Sequence, residues 1–238
     1  MVFSPYGDKA ILINFVQEIS LETNKKVIAL NNAIASAQLK AIEYCIPAYC
    51  SLTVGYNPLL TSYNSLCKKI KSLSTNRNSN YKGTSERTLN IPVCYEEPYA
   101  LDFAELIEQT NLTKKEIIDY HTSTDFRVYM LGFMPGFAYM GKLPQPLYCT
   151  RKKEPRLNIA RGSLGLAGLQ TGIYPFESPG GWQIIGRTPI PLINPEENKT
   201  FLFKPGDLVC FNAISNSSFL KIQNNVSSNH FNWESIYG

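Results

Sequence analysis

The sequence predicts an α+β protein. It reads as a small α+β amino-terminal domain over residues 1–83, a β-rich domain over 84–214 and a polar tail over 215–238. Three observations carry this reading. Apolar residues in the first third switch between strand and helix periods. The stretch 74–85, STNRNSNYKGTS, is poor in apolar residues and rich in turn formers, as an exposed linker is, which puts a boundary near Gly83. Beyond it, short apolar runs are punctuated by Gly and Pro, the pattern of a closed barrel or a similar β-rich domain.

Taken in order, Ala10–Phe15 is a short apolar strand, and Ser20–Ala37 has the helical spacing Val27, Leu30, Ile34. Lys40–Cys45 and Ser51–Tyr56 read as strands bracketing Ile46-Pro47-Ala48, and Leu59–Leu73 as a helix with Leu59, Leu66 and Ile70 on one side. After the linker come a strand at Leu89–Tyr95 and a helix at Leu101–Gln109. A second helix is opened by Thr113-Lys114-Lys115-Glu116, which has the Ser/Thr-x-x-Glu form of a capping box. Ten of the 15 glycines then fall between Gly132 and Gly186, interleaved with Phe133, Phe137, Tyr139, Tyr174 and Trp182. A flexible linker is not built this way, so the segment reads as an ordered surface made of loops, or as a turn-rich β core with no chemistry. Short strands follow at Gln183–Ile185, Ile190–Ile193, Phe201–Phe203 and Leu208–Phe211, with Pro205-Gly206-Asp207 as a tight turn. Residues 215–238 are rich in Asn and Ser but contain Phe219, Phe231, Trp233 and Tyr237. They are expected to fray over about half their length, or to order on a partner.

Composition excludes several classes. A net charge of +4 with short basic runs (68–71 and 151–156) argues against nucleic acid. No apolar run nears the ~18 residues of a membrane span, and Asp8 and Lys9 interrupt the one apolar run at the amino terminus. The expected location is the cytoplasm, with no membrane contact. Six cysteines without a Cys-x-x-Cys pair and two histidines make a structural zinc site or a disulfide scaffold a poor fit, and no metal site is expected.

The candidate chemistry gathers around the glycine-dense segment. His121, the histidine outside the tail, is either a structural hydrogen bonder or a group able to move a proton or meet developing negative charge. The run Gly162-Ser163-Leu164-Gly165-Leu166-Ala167-Gly168 offers main-chain N–H groups to an anion but matches neither nucleotide-binding glycine motif. Gln170, Thr171 and Tyr174 offer amide, hydroxyl and phenol groups suited to orienting a small polar substrate, or serve the turn chemistry alone. Trp182 reads as an anchor in a core or an interface. Arg156 and Arg187 can pair a carboxylate or phosphate, or stand at the surface. Ser163 lacks the partners of a serine triad.

These motifs occur together and in order. They include Tyr6-Gly7-Asp8-Lys9-Ala10, Ile91-Pro92-Val93-Cys94-Tyr95, Gly132-Phe133-x-Pro135-Gly136-Phe137-Ala138-Tyr139, Gln170-Thr171-Gly172-Ile173-Tyr174-Pro175, Ser178-Pro179-Gly180-Gly181-Trp182 and Gly186-Arg187-Thr188-Pro189. From about Tyr6 to about Ile214 the chain resembles the family of the 5-oxoprolinase B subunit, which also holds a sporulation-kinase inhibitor and the first subunit of allophanate hydrolase. The resemblance implies a cyclophilin-like β-barrel for the second domain. It also implies a role as one part of an ATP-dependent 5-oxoprolinase complex of B, C and A subunits. In that complex the B and C subunits activate 5-oxoproline by phosphorylation, and the A subunit opens the ring to glutamate. ATP with Mg2+ is then expected at a site completed by the partner subunit.

By the same resemblance His121 is the expected catalytic residue, stabilising charge on the activated amide. Pro135, Phe137, Tyr139, Gln170, Thr171, Tyr174, Arg156 and Arg187 are the expected substrate contacts. The chain departs from the family's usual pattern at Tyr95-Glu96-Glu97 and at Ile159-Ala160-Arg161-Gly162-Ser163, where Arg161 adds charge beside the glycine run. Regulation of a histidine kinase and allophanate hydrolysis are the alternative readings.

Overall fold

Contacts divide the chain into two units, Met1–Ser85 and Glu86–Gly238, each described by itself. The computed structural model describes residues 1–75, 87–194 and 200–238, so the boundary expected near Gly83 lies outside the described residues.

The first unit runs β1 (Val2–Pro5), β2 (Ala10–Asn14), α1 (Leu21–Ser36), β3 (Ile42–Pro47), β4 (Ser51–Tyr56) and α2 (Tyr63–Thr75). The strands form one antiparallel sheet in the order β1-β2-β4-β3. Alternation sends Ile11, Ile13, Leu52, Val54 and Tyr56 to one face, where Val27, Leu30 and Ile34 of α1 and Leu66 and Ile70 of α2 cover them. Ser20 caps α1, its hydroxyl accepting the Thr23 N–H at 3.2 Å. The second helix starts later than its apolar pattern suggests. Leu59 stands outside it and is 92% exposed, because Asn57 and Pro58 hold the preceding residues in a turn, with the Asn57 side chain accepting the Leu59 N–H at 2.9 Å.

The second unit opens with β5 (Thr88–Cys94), α3 (Phe103–Thr110), α4 (Lys114–Thr122), β6 (Phe126–Leu131) and β7 (Ala138–Gly141). It continues through β8 (Arg156–Ile159), β9 (Ser163–Ala167), β10 (Gln170–Ile173), β11 (Ser178–Gly180), β12 (Gln183–Arg187), β13 (Ile193–Asn194), β14 (Thr200–Phe201), β15 (Leu208–Ile214) and α5 (Asn216–Ser227). Seven strands close into a barrel in the order β10-β7-β6-β15-β5-β12-β9. Closure removes the free edges of the sheet. β15 lies parallel to β5 along seven residue pairs, Leu208 opposite Thr88 through Ile214 opposite Cys94. Leu89, Ile91, Val93, Phe126, Val128, Leu164, Leu166, Val209 and Phe211 fill the interior. The capping box forms as expected: the Thr113 hydroxyl accepts the Glu116 N–H, and the Glu116 carboxylate accepts the Thr113 N–H at 2.8 Å.

Three expectations change. The glycine-dense segment is not built of loops alone, because β9 and β10 within it are barrel staves. The expected strands around residues 190 and 203 shrink to the two-residue pair β13 and β14, although Ile190, Leu192, Leu202 and Phe203 are buried. The carboxy-terminal segment does not fray. α5 is capped by Ser215 and buries Phe219, and after a short 3-10 turn over Trp233–Ile236, Ile236 is buried and Tyr237 bridges Leu89. Its scattered aromatics supply the apolar contact that its Asn/Ser composition conceals. No helix among the described residues is long and apolar enough to cross a membrane.

Candidate functional site

A cleft of about 320 Å³ opens on the second unit, lined by Phe133, Phe137, Tyr139, Arg151, Pro155, Tyr174, Pro179, Gly180, Gly181 and Trp182. Its floor is set by the turn between β6 and β7. Phe133 at φ 67° and Gly136 at φ 82° reverse the chain, and the Gly132 N–H donates to the Phe137 carbonyl at 3.1 Å. The turn leaves Phe133 64% exposed at the rim and sends Phe137 inward.

Phe137 is the hub of an aromatic cluster. Its ring meets Phe133 at 5.6 Å, Tyr139 at 4.8 Å, Tyr174 at 5.3 Å and Trp182 at 5.5 Å, all edge-to-face. Such pairs favour their rings meeting edge to face, so the walls of the cleft are fixed by their own packing. Arg151 supplies the positive charge, its guanidinium carbon 6.0 Å from the centre of the Trp182 ring. Burial pushes the Tyr174 phenol up to about 12, against the opposing pull of a main-chain hydrogen bond at Trp182 and the charge of Arg151. At neutral pH it is a protonated hydroxyl able to donate to an oxygen.

The loop that carries Arg151 and Pro155 is pinned by an ion-pair network the sequence did not reveal. Asp102, immediately before α3, is 3% exposed. Arg156 donates to both of its oxygens, at 2.7 and 2.5 Å, Lys152 reaches Oδ1 at 3.1 Å, and the Ile184 N–H donates to Oδ2 at 2.7 Å. Lys152 also pairs with Glu105, and its own N–H donates to the Gly181 carbonyl at 2.8 Å. Burial raises the Asp102 carboxyl, but Arg156, the Ile184 N–H and Lys152 outweigh it and hold the group below the usual aspartate range.

The expected site residues therefore separate. Phe137, Tyr139 and Tyr174 meet in the cleft. Pro135 sits exposed in the β6–β7 turn and does not line it, and Gln170 lies half-buried on β10. Arg156 is committed to Asp102. Arg187 lies at the end of β12, outside the cleft, its Nε donating to the Arg161 carbonyl at 2.7 Å. Phe133, Arg151, Pro155 and Trp182 join the cleft without having been singled out as contacts. Phe133 and Trp182 carried a local signal, each an aromatic set beside a glycine of the dense segment, whereas Arg151 and Pro155 carried none.

His121 and Thr171 are placed in the barrel core. His121 is 0% exposed, with Nδ1 2.9 Å from the Tyr95 hydroxyl and Nε2 3.1 Å from Thr171 Oγ1. Thr171 Oγ1 donates to the Gly165 carbonyl at 3.3 Å, so it accepts from Nε2–H and leaves Nδ1 to accept from Tyr95. The imidazole stacks on Phe211 at 4.7 Å, and burial pushes its pKa down to about 3. This neutral ring, with both nitrogens engaged, has no face on the cleft, which differs from the catalytic placement expected of it. The glycine run is likewise occupied: Gly162 N–H donates to Tyr174 O at 2.8 Å and Gly168 N–H to Cys149 O at 2.7 Å, while Ser163–Ala167 pair as β9. Those donors do not form an anion cradle.

Comparison with known proteins places this arrangement. Residues 1–203 match the carboxyltransferase domain family, subdomain C and D. The chain is 37% identical over 223 residues to the 5-oxoprolinase B subunit of Bacillus subtilis (strain 168), covering 90% of this chain and 92% of that protein. Among solved structures, the crystal structure of TTHA0988 superposes with a TM-score of 0.77 at 31% identity, covering 87% of this chain. This chain spans 40% of the length of that one. The K. lactis urea amidolyase shares the fold at a TM-score of 0.76 and 18% identity, over 96% of this chain and 16% of the amidolyase. The chain belongs to the 5-oxoprolinase B subunit family of carboxyltransferase domains.

Proposed function

We propose that this chain is the B subunit of an ATP-dependent 5-oxoprolinase complex, acting with the C subunit to activate 5-oxoproline for ring opening to glutamate by the A subunit. The observation that carries the reading is the aromatic cleft with one arginine at its wall. 5-Oxoproline is a small, flat lactam bearing a carboxylate. Phe137, Tyr139 and Trp182 give flat apolar walls of matching size, Arg151 meets the carboxylate, and the protonated Tyr174 hydroxyl donates to the lactam oxygen. A five-membered lactam is a stable amide with a poor leaving group. Transfer of the γ-phosphoryl group of ATP to its oxygen, with ADP leaving, makes the ring carbon open to water. The role of this chain is to hold the lactam oriented and shielded while that transfer occurs.

ATP with Mg2+ is proposed to sit at a site completed by the partner subunit. Among the described residues no group of three His, Cys, Asp or Glu side chains is placed to hold a metal ion.

The test is glutamate release from 5-oxoproline and ATP by this chain mixed with its C and A partners, each omitted in turn. Activity that needs all three is the expected result. Equal activity without this chain, with the partners shown to be folded, would overturn the assignment.

A further inference from the structure

Outside the cleft, two arginines lie side by side without an acidic partner among the described residues. Arg187 is half-buried, yet the two contacts that fix its guanidinium and the one that holds its stem do not neutralise it. Its Nε donates to the Arg161 carbonyl at 2.7 Å. Its guanidinium carbon lies 5.9 Å from the centre of the Tyr99 ring, which is itself stacked on Phe219 at 4.3 Å. Its stem runs over Gly162, where a Cβ would lie 3.5 Å from Arg187 Cγ, and Gly162 is held at φ 81°. Among the described residues, the two terminal nitrogens of Arg187 and the whole guanidinium of the exposed Arg161 make no hydrogen bond or ion pair. The carboxylate of Glu96, three residues before Tyr99, is turned instead to the Asn216 N–H at 3.3 Å.

A fixed, half-buried cation beside a second cation is costly unless an anion completes it. Two other arginines of this unit are neutralised, Arg156 by Asp102 and Arg87 by Asp207. We propose that Arg187 and Arg161 form a binding site for the phosphate groups of a polyphosphate ligand, separate from the aromatic cleft. Two guanidinium groups close enough for the charge of Arg161 to disfavour that of Arg187 suit a multiply charged anion better than a single carboxylate, and a planar fork already held by its Nε hydrogen bond and the Tyr99 ring loses little freedom on binding.

The inference stands on side chains outside the cleft and is tested on this chain alone, so its failure is distinguishable from failure of the oxoprolinase reading. Calorimetric titration of the full chain with inorganic tripolyphosphate, ATP and inorganic phosphate is the experiment. Tripolyphosphate and ATP are expected to compete for one site, to bind more tightly than inorganic phosphate and to weaken with added salt. Removing one charge-assisted pair, in Arg161→Gln or Arg187→Gln, is expected to weaken tripolyphosphate about tenfold or more, whereas Lys26→Gln, in α1 of the other unit, leaves it unchanged. Arg161 is exposed and its replacement perturbs no packing, so that variant decides the matter even if Arg187→Gln fails to fold. No tripolyphosphate binding by the unaltered chain, or binding that Arg161→Gln retains in full, would overturn the proposal.

Discussion

The Tyr174 hydroxyl occupies the volume that any side chain at residue 180 would need. A Cβ placed on Gly180 would overlap that hydroxyl and lie 2.6 Å from Ile159 Cδ1. Gly180 is therefore required by the position of Tyr174 in the cleft. Gly180→Ala should push Tyr174 out of place and destabilise the protein by about 1–3 kcal/mol, the usual range for overpacking. Urea denaturation measures the loss, and an unchanged midpoint would show that the ring has room to move.

His121 contributes to stability through its neutral form. Its folded pKa, pushed down to about 3 by burial, lies below the ordinary value of 6.5, so the unfolded chain takes up a proton first as the pH falls. The contribution is complete above pH 6.5 and is lost progressively towards about 3. His121→Gln should lower stability at neutral pH and flatten its decline between about pH 4.5 and 6.5, a window above the usual carboxylate range. Denaturation midpoints across that window provide the check, and parallel pH curves for the two proteins would count against the buried neutral imidazole.

Asp102→Asn should cost about 1.5–3 kcal/mol, the worth of hydrogen bonds to a charged group. It should also loosen the loop carrying Arg151. The Lys152 amide, bonded to the Gly181 carbonyl, is expected to exchange with solvent faster in the variant. Unchanged exchange there would mean that the loop holds its place without the ion pairs.

Arg151→Gln should raise KM for 5-oxoproline about tenfold in the assembled complex with kcat little altered, the signature of lost uniform binding. Steady-state kinetics at varied 5-oxoproline test this. A fall in kcat at unchanged KM would move Arg151 from holding the substrate to the transition state.

Much of the fold could be read from local pattern. The Thr113–Glu116 capping box and the Val27, Leu30, Ile34 spacing are signals contained within one element, and each formed where expected. β9 escaped because all five of its residues are buried, so it has no polar alternation, and Gly165 within it faces Trp182, where a Cβ would come within 3.0 Å. The site was legible in part for a related reason. Phe137, Tyr139 and Tyr174 stood out by type, but the assignment of His121 depended on Thr171, 50 residues away, and that of Arg156 on Asp102, 54 residues away. Partners at such separations leave no local trace. The same distance hid Arg151, whose importance comes from the loop that Asp102 anchors.

The parallel pairing of β15 with β5 has a consequence for synthesis. The stave that lies between β5 and β6 is the last strand of the barrel, contributed by residues more than a hundred positions after β5. Until Ile214 has left the ribosome, the growing chain holds six of seven staves with a gap where Val209 and Phe211 belong, and the apolar faces of its neighbours stay open to water. Barrel formation is thus a late, long-range event that follows translation of nearly the whole unit, and slow folding with dependence on chaperones during that interval is the expected outcome.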